Sequence, residues 1–310
     1  MRPSARPALL VLGSNGQLGF ELRRSLACLG EVVALDRAAC DITKHEECLA
    51  VLARYRPDVV VNAAAYTGVG QAEQDPDAAL LANGTAPGWL AAATRDLGGL
   101  FVHFSTDFVF DGRHTQPYTE EDVPMPLSVY GKTKLEGERA VLAAGGSAIV
   151  LRTAWLAGVH GSNFLKTILA RAKAGERLQV VADQVGTPTS AALVADVTAH
   201  IVARYWLAAG VRPGFPTGVY HLTAGGEASW HAYACEICRF AQARGMALRL
   251  GPGDVGACAA RDFDGGVERP AYSVLDTTRL RETFGVHLPQ WEQGVHWLLE
   301  QLISREQTHA

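Results

Sequence analysis

The run Tyr130-Gly131-Lys132-Thr133-Lys134 places a phenol and a primary amine four residues apart. On a helix, positions i and i+4 share one face, so Tyr130 and Lys134 can enter one pocket. The pair suits proton transfer. An alkoxide developing from a ketone needs a proton, and a phenol of pKa about 10 exchanges one near neutral pH more readily if that value falls by ~3, or ~4 kcal/mol. A lysine ammonium ~4 Å away at an effective dielectric of ~20 supplies about that much. Thr106, in Ser105-Thr106-Asp107 at the end of an apolar run, can hydrogen-bond the carbonyl oxygen and orient it. Lys132 is the better candidate for a solvated helix charge.

A second group reads Gly13-Ser14-Asn15-Gly16-Gln17-Leu18-Gly19. It follows the apolar Leu9 to Leu12 and opens a helix, the setting in which such a turn binds a dinucleotide. Gly13 permits the tight turn, Gly16 lets backbone approach a pyrophosphate, and Gly19 lets the helix pack close to the strand. The helix N-terminus offers unpaired N–H groups to phosphate. Asp36, at the end of the next strand, can accept from a ribose 2′-OH and repel a 2′-phosphate. Arg37 beside it attracts that phosphate, so NADH is favoured and NADPH stays open. Asp41 and Ile42 either flank the adenine or, for Asp41, hold a turn. Ala63, Ala64 and Ala65 leave room for the cofactor at the carboxyl edge of a sheet. Tyr130 and Lys134 complete the cofactor site, Lys134 by holding the nicotinamide ribose.

The elements that must position these groups alternate. Strands are expected over 9–12, 31–35, 59–61, 100–105 and 148–152. Helices are expected over 17–29, 43–55 (opened by a Thr43/Glu46 capping box), 77–97 and 129–144. Repeated strand–helix units imply parallel pairing. The fold class is therefore α/β, a Rossmann-type doubly wound parallel sheet with a smaller C-terminal substrate-binding lobe. Residues 1–158 form the dinucleotide-binding core. Residues 159–210 continue it with substrate-contacting loops, a helix over 164–174, a strand over 179–181 and a helix over 191–207. Residues 211–310 are mainly the substrate lobe, with a strand over 219–222, helices near Trp230 and Trp291, and an irregular loop over 251–270.

The 310 residues suffice for a large core, 48% of them being hydrophobic. A formal charge of −4 gives no basic face, so nucleic acid is a poor partner. No apolar run of membrane-spanning length occurs, and the N-terminus, with Arg2 and Arg6, reads as strand and turn, not as a signal peptide. The expected location is cytoplasmic. The six cysteines are expected as free thiols, and Cys235-x-x-Cys238 as helix packing more than a zinc or redox site.

Beyond these motifs the chain resembles the dTDP-4-dehydrorhamnose reductase family of extended short-chain dehydrogenases/reductases. The resemblance rests on GSNGQLG (13–19), VNAAAYT (61–67), STDFVFDG (105–112), YGKTKLEGE (130–138), RTAW (152–155), NFLKTIL (163–169), DQVGTPT (183–189), GVYHLTAGGEASW (218–230) and RPAYSVLD (269–276). It implies reduction of the 4-keto group of a dTDP-linked deoxysugar by NADH or NADPH. Tyr130 is then the proton donor, Lys134 its partner and Thr106 the third member. Asn83 takes a proton-relay position, and Trp155 lies against the sugar, although core packing is its plainer role. Thr106, Asp107, Phe108, Tyr130 and Trp155 form the implied substrate site. Phe108 stands where the family commonly has Tyr, 67–73 lacks the usual Asp-Lys pair, RTAWLAG replaces RTSWVYG, and Asp262 to Gly266 replaces a short Pro-rich segment. These departures touch the sugar side and admit a related antibiotic-pathway ketosugar. Glu21 fits a position where some relatives hold an intersubunit metal, but Ala191-Ala192 removes a partner ligand, so no metal is expected. A homodimer is admitted. The alternatives are a nucleotide-sugar epimerase with tightly bound NAD and a non-catalytic regulatory subunit of the same fold.

Asp36 generates the first prediction. NADH should give the higher kcat/KM, and Asp36→Ala should raise the NADPH-to-NADH ratio. A wild-type preference for NADPH of more than tenfold would contradict the role given to Asp36.

Overall fold

A computed structural model describes residues 6–208, 214–262 and 266–309. Arg2, the start of the Pro/Gly-rich stretch at 211–213, and Phe263, Asp264 and Gly265 lie outside the described residues. Five strands, β1 (Ala8–Leu12), β2 (Glu31–Leu35), β3 (Val59–Asn62), β4 (Leu100–Thr106) and β5 (Ser147–Thr153), join a later strand, Gly218–His221, in one six-stranded parallel sheet. Val59, Val60 and Val61 are fully buried, as expected for a strand covered on both faces. The crossovers run through α1 (Gln17–Leu26), α2 (His45–Tyr55), α3 (Val69–Gln74), α4 (Pro76–Leu80), α5 (Ala86–Asp96) and α6 (Val129–Ala144). β1 pairs with β2 on one side and β3 on the other. The strand order therefore reverses between β1 and β3, which opens a crevice at their carboxyl ends, beside Gly13 and Ala63.

Two local expectations change. The Thr43/Glu46 capping box is absent. Helix α2 starts at His45 after Lys44, with no side-chain cap, because the Thr43 N–H and hydroxyl both donate to Asp41 Oδ1, at 3.0 and 2.7 Å. The single helix expected over 77–97 is α4 and α5 joined by a π turn, Leu81–Thr85. Pro87 has no N–H for the carbonyl of Asn83 four residues back, and its ring crowds that oxygen, so the turn widens. The Asn83 carbonyl then abuts α6, where a Cβ on Gly137 would lie 2.1 Å from it.

The remaining elements are β6 (Leu156–Ala157), α7 (Phe164–Ala174), β7 (Leu178–Val181), β8 (Val185–Gly186), β9 (Thr189–Ser190), α8 (Ala191–Ile201), β10 (Gly218–His221), β11 (Ala228–Ser229), α9 (Trp230–Ala243), β12 (Val255–Cys258), α10 (Thr278–Phe284) and α11 (Trp291–His309). Strand β7, expected with the main sheet, pairs instead with β12, inside the stretch expected to be an irregular loop. β10, expected in the smaller lobe, takes the free edge of β5. The second core accordingly joins Leu165, Leu169, Leu178 and Val180 to Tyr233, Ile237 and Leu299. Helix α8 continues into a π turn to Leu207 and packs with α1 on the main sheet. Among the described residues no helix is long and apolar enough to cross a membrane.

Helix α6 is held on the sheet by a buried ion pair. Arg152 on β5 donates to both oxygens of Glu138 on α6, at 2.9 and 2.7 Å, and both side chains are almost wholly buried. Ser105 on β4 donates to the same carboxylate at 2.5 Å. Arg152 also reaches the ring nitrogen of His221 on β10 at 3.3 Å and lies over Phe110. Burial first, then the Arg152 charge, push His221 down to about 3, so it is neutral and accepts from Arg152. Removing one member of such a pair strands a buried charge. Arg152→Met should cost roughly 3–5 kcal/mol in urea denaturation, and Arg152→Met/Glu138→Met distinctly less. Equal losses in the two variants would deny the pair this role.

Candidate active site

Gly13 has φ +76°, and a Cβ on it would lie 2.6 Å from the Ala64 nitrogen; a Cβ on Gly19 would lie 2.1 Å from the Gly13 oxygen. The turn is thus wedged between β3 and α1, and glycine at both places is what allows it. Gly16 is the N-cap of α1, extended and without a capping side chain, so the first-turn N–H groups have no side-chain partner from it. The side chains of Gln17 and Leu18 are engaged elsewhere, which leaves their backbone to the turn. The Gln17 side chain accepts from Gly158 N–H at 2.9 Å and from Asn163 at 2.8 Å, tying α1 to the second lobe, while Leu18 is in the main core. Asn15 donates to Asp36 at 2.7 Å, and the other Asp36 oxygen accepts from Ala39 N–H at 3.0 Å. Arg37 is largely exposed and pairs with Asp41 at 3.3 Å. Burial works against the Asp41 carboxylate, but its Thr43 hydrogen bonds and Arg37 outweigh that and hold its pKa below the ordinary value. Asp41 therefore holds a turn. Ile42 is packed with Leu10, Leu12 and Cys48, leaving little of its face for an adenine. A turn closed to a Cβ at Gly13 and Gly19, an uncapped helix start and a carboxylate at the end of β2 fit a dinucleotide.

The predicted catalytic residues meet at the carboxyl end of β4. Ser128 caps α6 by accepting from Gly131 N–H at 3.2 Å, which sets Tyr130 in the first turn. The Tyr130 ring meets Phe108 edge to face at 5.7 Å. Burial pushes its phenol up to about 12; a hydrogen bond with Thr106 pulls the other way, and the Asp107 charge adds to the rise. This corrects the expected downward tuning by Lys134. The Lys134 nitrogen is not placed to do it, for it donates to the Phe104 carbonyl at 2.6 Å and sits 3.4 Å from His103. Burial lowers Lys134 to about 8, against the pull of Glu138. Thr106 donates to Asp107 at 3.0 Å and accepts from Phe108 N–H at 3.2 Å. Asp107 is buried, and burial raises its pKa to about 6 against the opposing pull of Ser273 and Thr106 beside it.

Two residues implied by the resemblance sit differently from expectation. Asn83 is fully buried, and its side chain is committed to both backbone groups of Tyr66 and to the Thr133 hydroxyl, at 2.8, 3.0 and 3.2 Å. It clamps the 63–66 segment to α6, so its side chain is not free to relay a proton. Trp155, with φ +43°, stacks on Trp230 at 3.5 Å and 6°, and Gly186 lies against the indole beside its Nε1, where a Cβ would come within 2.8 Å of three ring atoms. The indole is thus half-buried between Trp230 and Gly186, the packing role that is its plainer reading. His103, Asn62 and Trp230 were not singled out from the sequence. His103 and Asn62 lie in apolar strands with no local signal, and Trp230 becomes relevant only through its stack on Trp155. Among the described residues no cluster of three His, Cys, Asp or Glu is placed to hold a metal; Glu21 instead pairs with Arg24 at 3.0 Å.

A family model described as the RmlD substrate binding domain matches residues 7–304. The chain is 45% identical over 299 residues to a dTDP-4-dehydrorhamnose reductase of Burkholderia thailandensis, covering 96% of this chain and 99% of that one. It is 37% identical to the Escherichia coli K12 protein of that name, over 96% and 98% of the two chains. Among solved structures, a Bacillus anthracis dTDP-4-dehydrorhamnose reductase in complex with NADP superposes with a TM-score of 0.86 at 30% identity, over 96% and 99%. A Thermus thermophilus UDP-glucose 4-epimerase at 20% identity, with a TM-score of 0.76 over 94% and 98%, shares the fold. The chain belongs to the dTDP-4-dehydrorhamnose reductase family of extended short-chain dehydrogenases/reductases.

Proposed function

We propose that this protein reduces the 4-keto group of a dTDP-linked 6-deoxysugar, dTDP-4-dehydro-L-rhamnose to dTDP-L-rhamnose, with NADH or NADPH. The observation that carries this is the convergence of Thr106, Tyr130 and the buried Asp107 carboxylate at the end of β4. Full-length relatives bearing the reductase name, one of them crystallised with NADP, support it. When bound, the nicotinamide supplies a hydride. The protein's own groups do the rest. Tyr130, kept protonated by burial, holds the proton that a developing alkoxide requires. The Thr106 hydroxyl is placed to orient the carbonyl oxygen. Asp107 accepts from the Thr106 hydroxyl and so fixes its orientation, and the exposed part of Trp155 is assigned to the sugar ring. Asp36 and Arg37 serve the adenosine ribose. The proposed setting is the cytoplasm. A homodimer is compatible with the apolar side chains that the α4–α6 region leaves exposed, Leu80, Leu81 and Leu142.

The direct test follows loss of NADH and NADPH absorbance with dTDP-4-dehydrorhamnose. Tyr130→Phe removes the proton and little packing, so kcat should fall roughly 10²- to 10⁴-fold with NADH affinity nearly unchanged. Lys134→Met should weaken both. A Tyr130→Phe enzyme with near-normal kcat, where hydride transfer is rate-limiting, would sink the mechanism.

Asp107 gives a pH prediction with a definite sign. Its folded pKa, about 6, lies above the unfolded value of about 3.9, so its stability contribution is complete below ~4 and is lost as pH rises through 6. Asp107→Asn should match wild type in stability near pH 4 and exceed it at pH 7.5, by up to roughly 3 kcal/mol and with a correspondingly higher Tm. Its substrate KM should rise. A Tm difference that does not grow with pH would contradict this.

A further inference from the structure

A buried imidazole that the mechanism above does not use lies between Lys134 and the segment that backs the glycine turn. His103 on β4 is 1% exposed. One ring nitrogen, Nδ1, is 3.3 Å from the side-chain nitrogen of Asn62 on β3, and the other, Nε2, is 3.4 Å from Lys134 Nζ. The Asn62 amide cannot be turned over, because its oxygen accepts from Ala64 N–H at 3.2 Å. An amide nitrogen offers only hydrogens, so His103 Nδ1 must present its lone pair. A neutral imidazole carries one proton, which must then be on Nε2, facing Lys134. Burial first, then the Lys134 charge, hold His103 well below the ordinary pKa, so it is neutral. The ring lies parallel to Phe101 at 6.3 Å and faces α6 at Gly137, where the lack of a Cβ leaves room for Nε2.

We propose that His103 is a positioning residue for Lys134: by presenting an N–H to Nζ it stabilises the lysine as a parked amine and opposes the parked ammonium, favouring departure of the charged side chain toward Tyr130. The proposal rests on the ketosugar-reductase reading only where it makes Lys134 the partner of Tyr130. As an amine, Nζ accepts from Nε2–H and donates to the Phe104 carbonyl, so every nearby polar group is satisfied. As an ammonium, Nζ has no lone pair and meets an N–H. The other charged and titratable groups that bear on this position are Glu138 on α6, neutralised by Arg152 on β5, Tyr130 one turn earlier on α6, and Asp107 at the end of β4. Of these, Glu138 alone favours the ammonium, and its charge is already shared with Arg152 and Ser105. The same chain of contacts reaches the dinucleotide cradle, since Ala64, which orients Asn62, is the residue against which Gly13 is wedged.

The test has two arms. In wild-type protein labelled with 15N-histidine, long-range 1H–15N spectra distinguish the tautomers, and His103 is assigned by the signal lost in His103→Gln. A bare Nδ1 and protonated Nε2, unchanged from pH 5.5 to 9, is the expected result. A proton on Nδ1, or an imidazolium forming in that range, overturns the proposal. The second arm follows the alkaline limb of kcat/KM, above which Lys134 loses its charge. Asn62→Asp offers only acceptors, moving the His103 proton to Nδ1 and turning a lone pair toward the ammonium. His103→Gln can offer an amide oxygen to the same group. Each folded variant should move the limb upward by roughly one pH unit. Limbs that stay in place in both variants overturn the positioning role. A wild-type protein inert toward dTDP-4-dehydrorhamnose would defeat the proposed function instead, and the tautomer result would still decide this inference.

Discussion

The buried pair between Arg152 and Glu138 is the constraint on which the site depends. Helix α6 carries Tyr130 and Lys134, whereas Thr106 and Asp107 end β4, and nothing local in either element sets the distance between them. Glu138 receives Arg152 from β5 and Ser105 from β4, and Arg152 is steadied by His221 from β10. Four elements are thereby locked around one carboxylate. Such a pair gains little net stability over an apolar substitute, but leaving either charge alone is expensive, so it specifies one placement of α6. The abutment of the Asn83 carbonyl on α6 sets the same helix from the other side.

Within that frame the site holds its titratable groups away from their ordinary values by burial more than by neighbouring charge. Tyr130 is pushed up, Lys134 down and Asp107 up. Each shift disfavours the charged form, the direction set by a dry pocket. The phenol therefore keeps its proton, and the lysine rests on a backbone carbonyl beside a neutral histidine. Charge-assisted tuning of the phenol requires Lys134 to leave that place.

The two lobes meet over the crevice through specific polar and aromatic contacts. Gln17, in the helix that starts at the glycine turn, accepts from Gly158 and Asn163. Trp155, held at positive φ directly after β5, stacks on Trp230 at the start of α9. A residue in that backbone region is strained unless its surroundings hold it, and here the Trp230 stack and the Gly186 contact do so. That part of the crevice is thus assembled from both halves of the chain.

Much of this was legible in the residues. Alternation of apolar runs with helical periodicity determined the α/β class and placed helix α6 at its observed ends, because burial on both faces of a parallel strand demands continuous apolar runs. The spacing of Gly13, Gly16 and Gly19 and of Tyr130 and Lys134 determined which groups could share the crevice, since backbone geometry alone decides which positions share a face. The tertiary structure decided the rest. Which strand takes a free sheet edge depends on competing long-range pairings, so β7 left the main sheet and β10 entered it. Whether Thr43 caps a helix or closes on Asp41, whether Asn83 can relay a proton, and where the Lys134 nitrogen points all turn on partners distant in sequence or on competing local hydrogen bonds. Pattern fixes which residues can meet; only packing decides which hydrogen-bond partner wins, because each donor is satisfied once and the alternatives differ by about a kcal/mol.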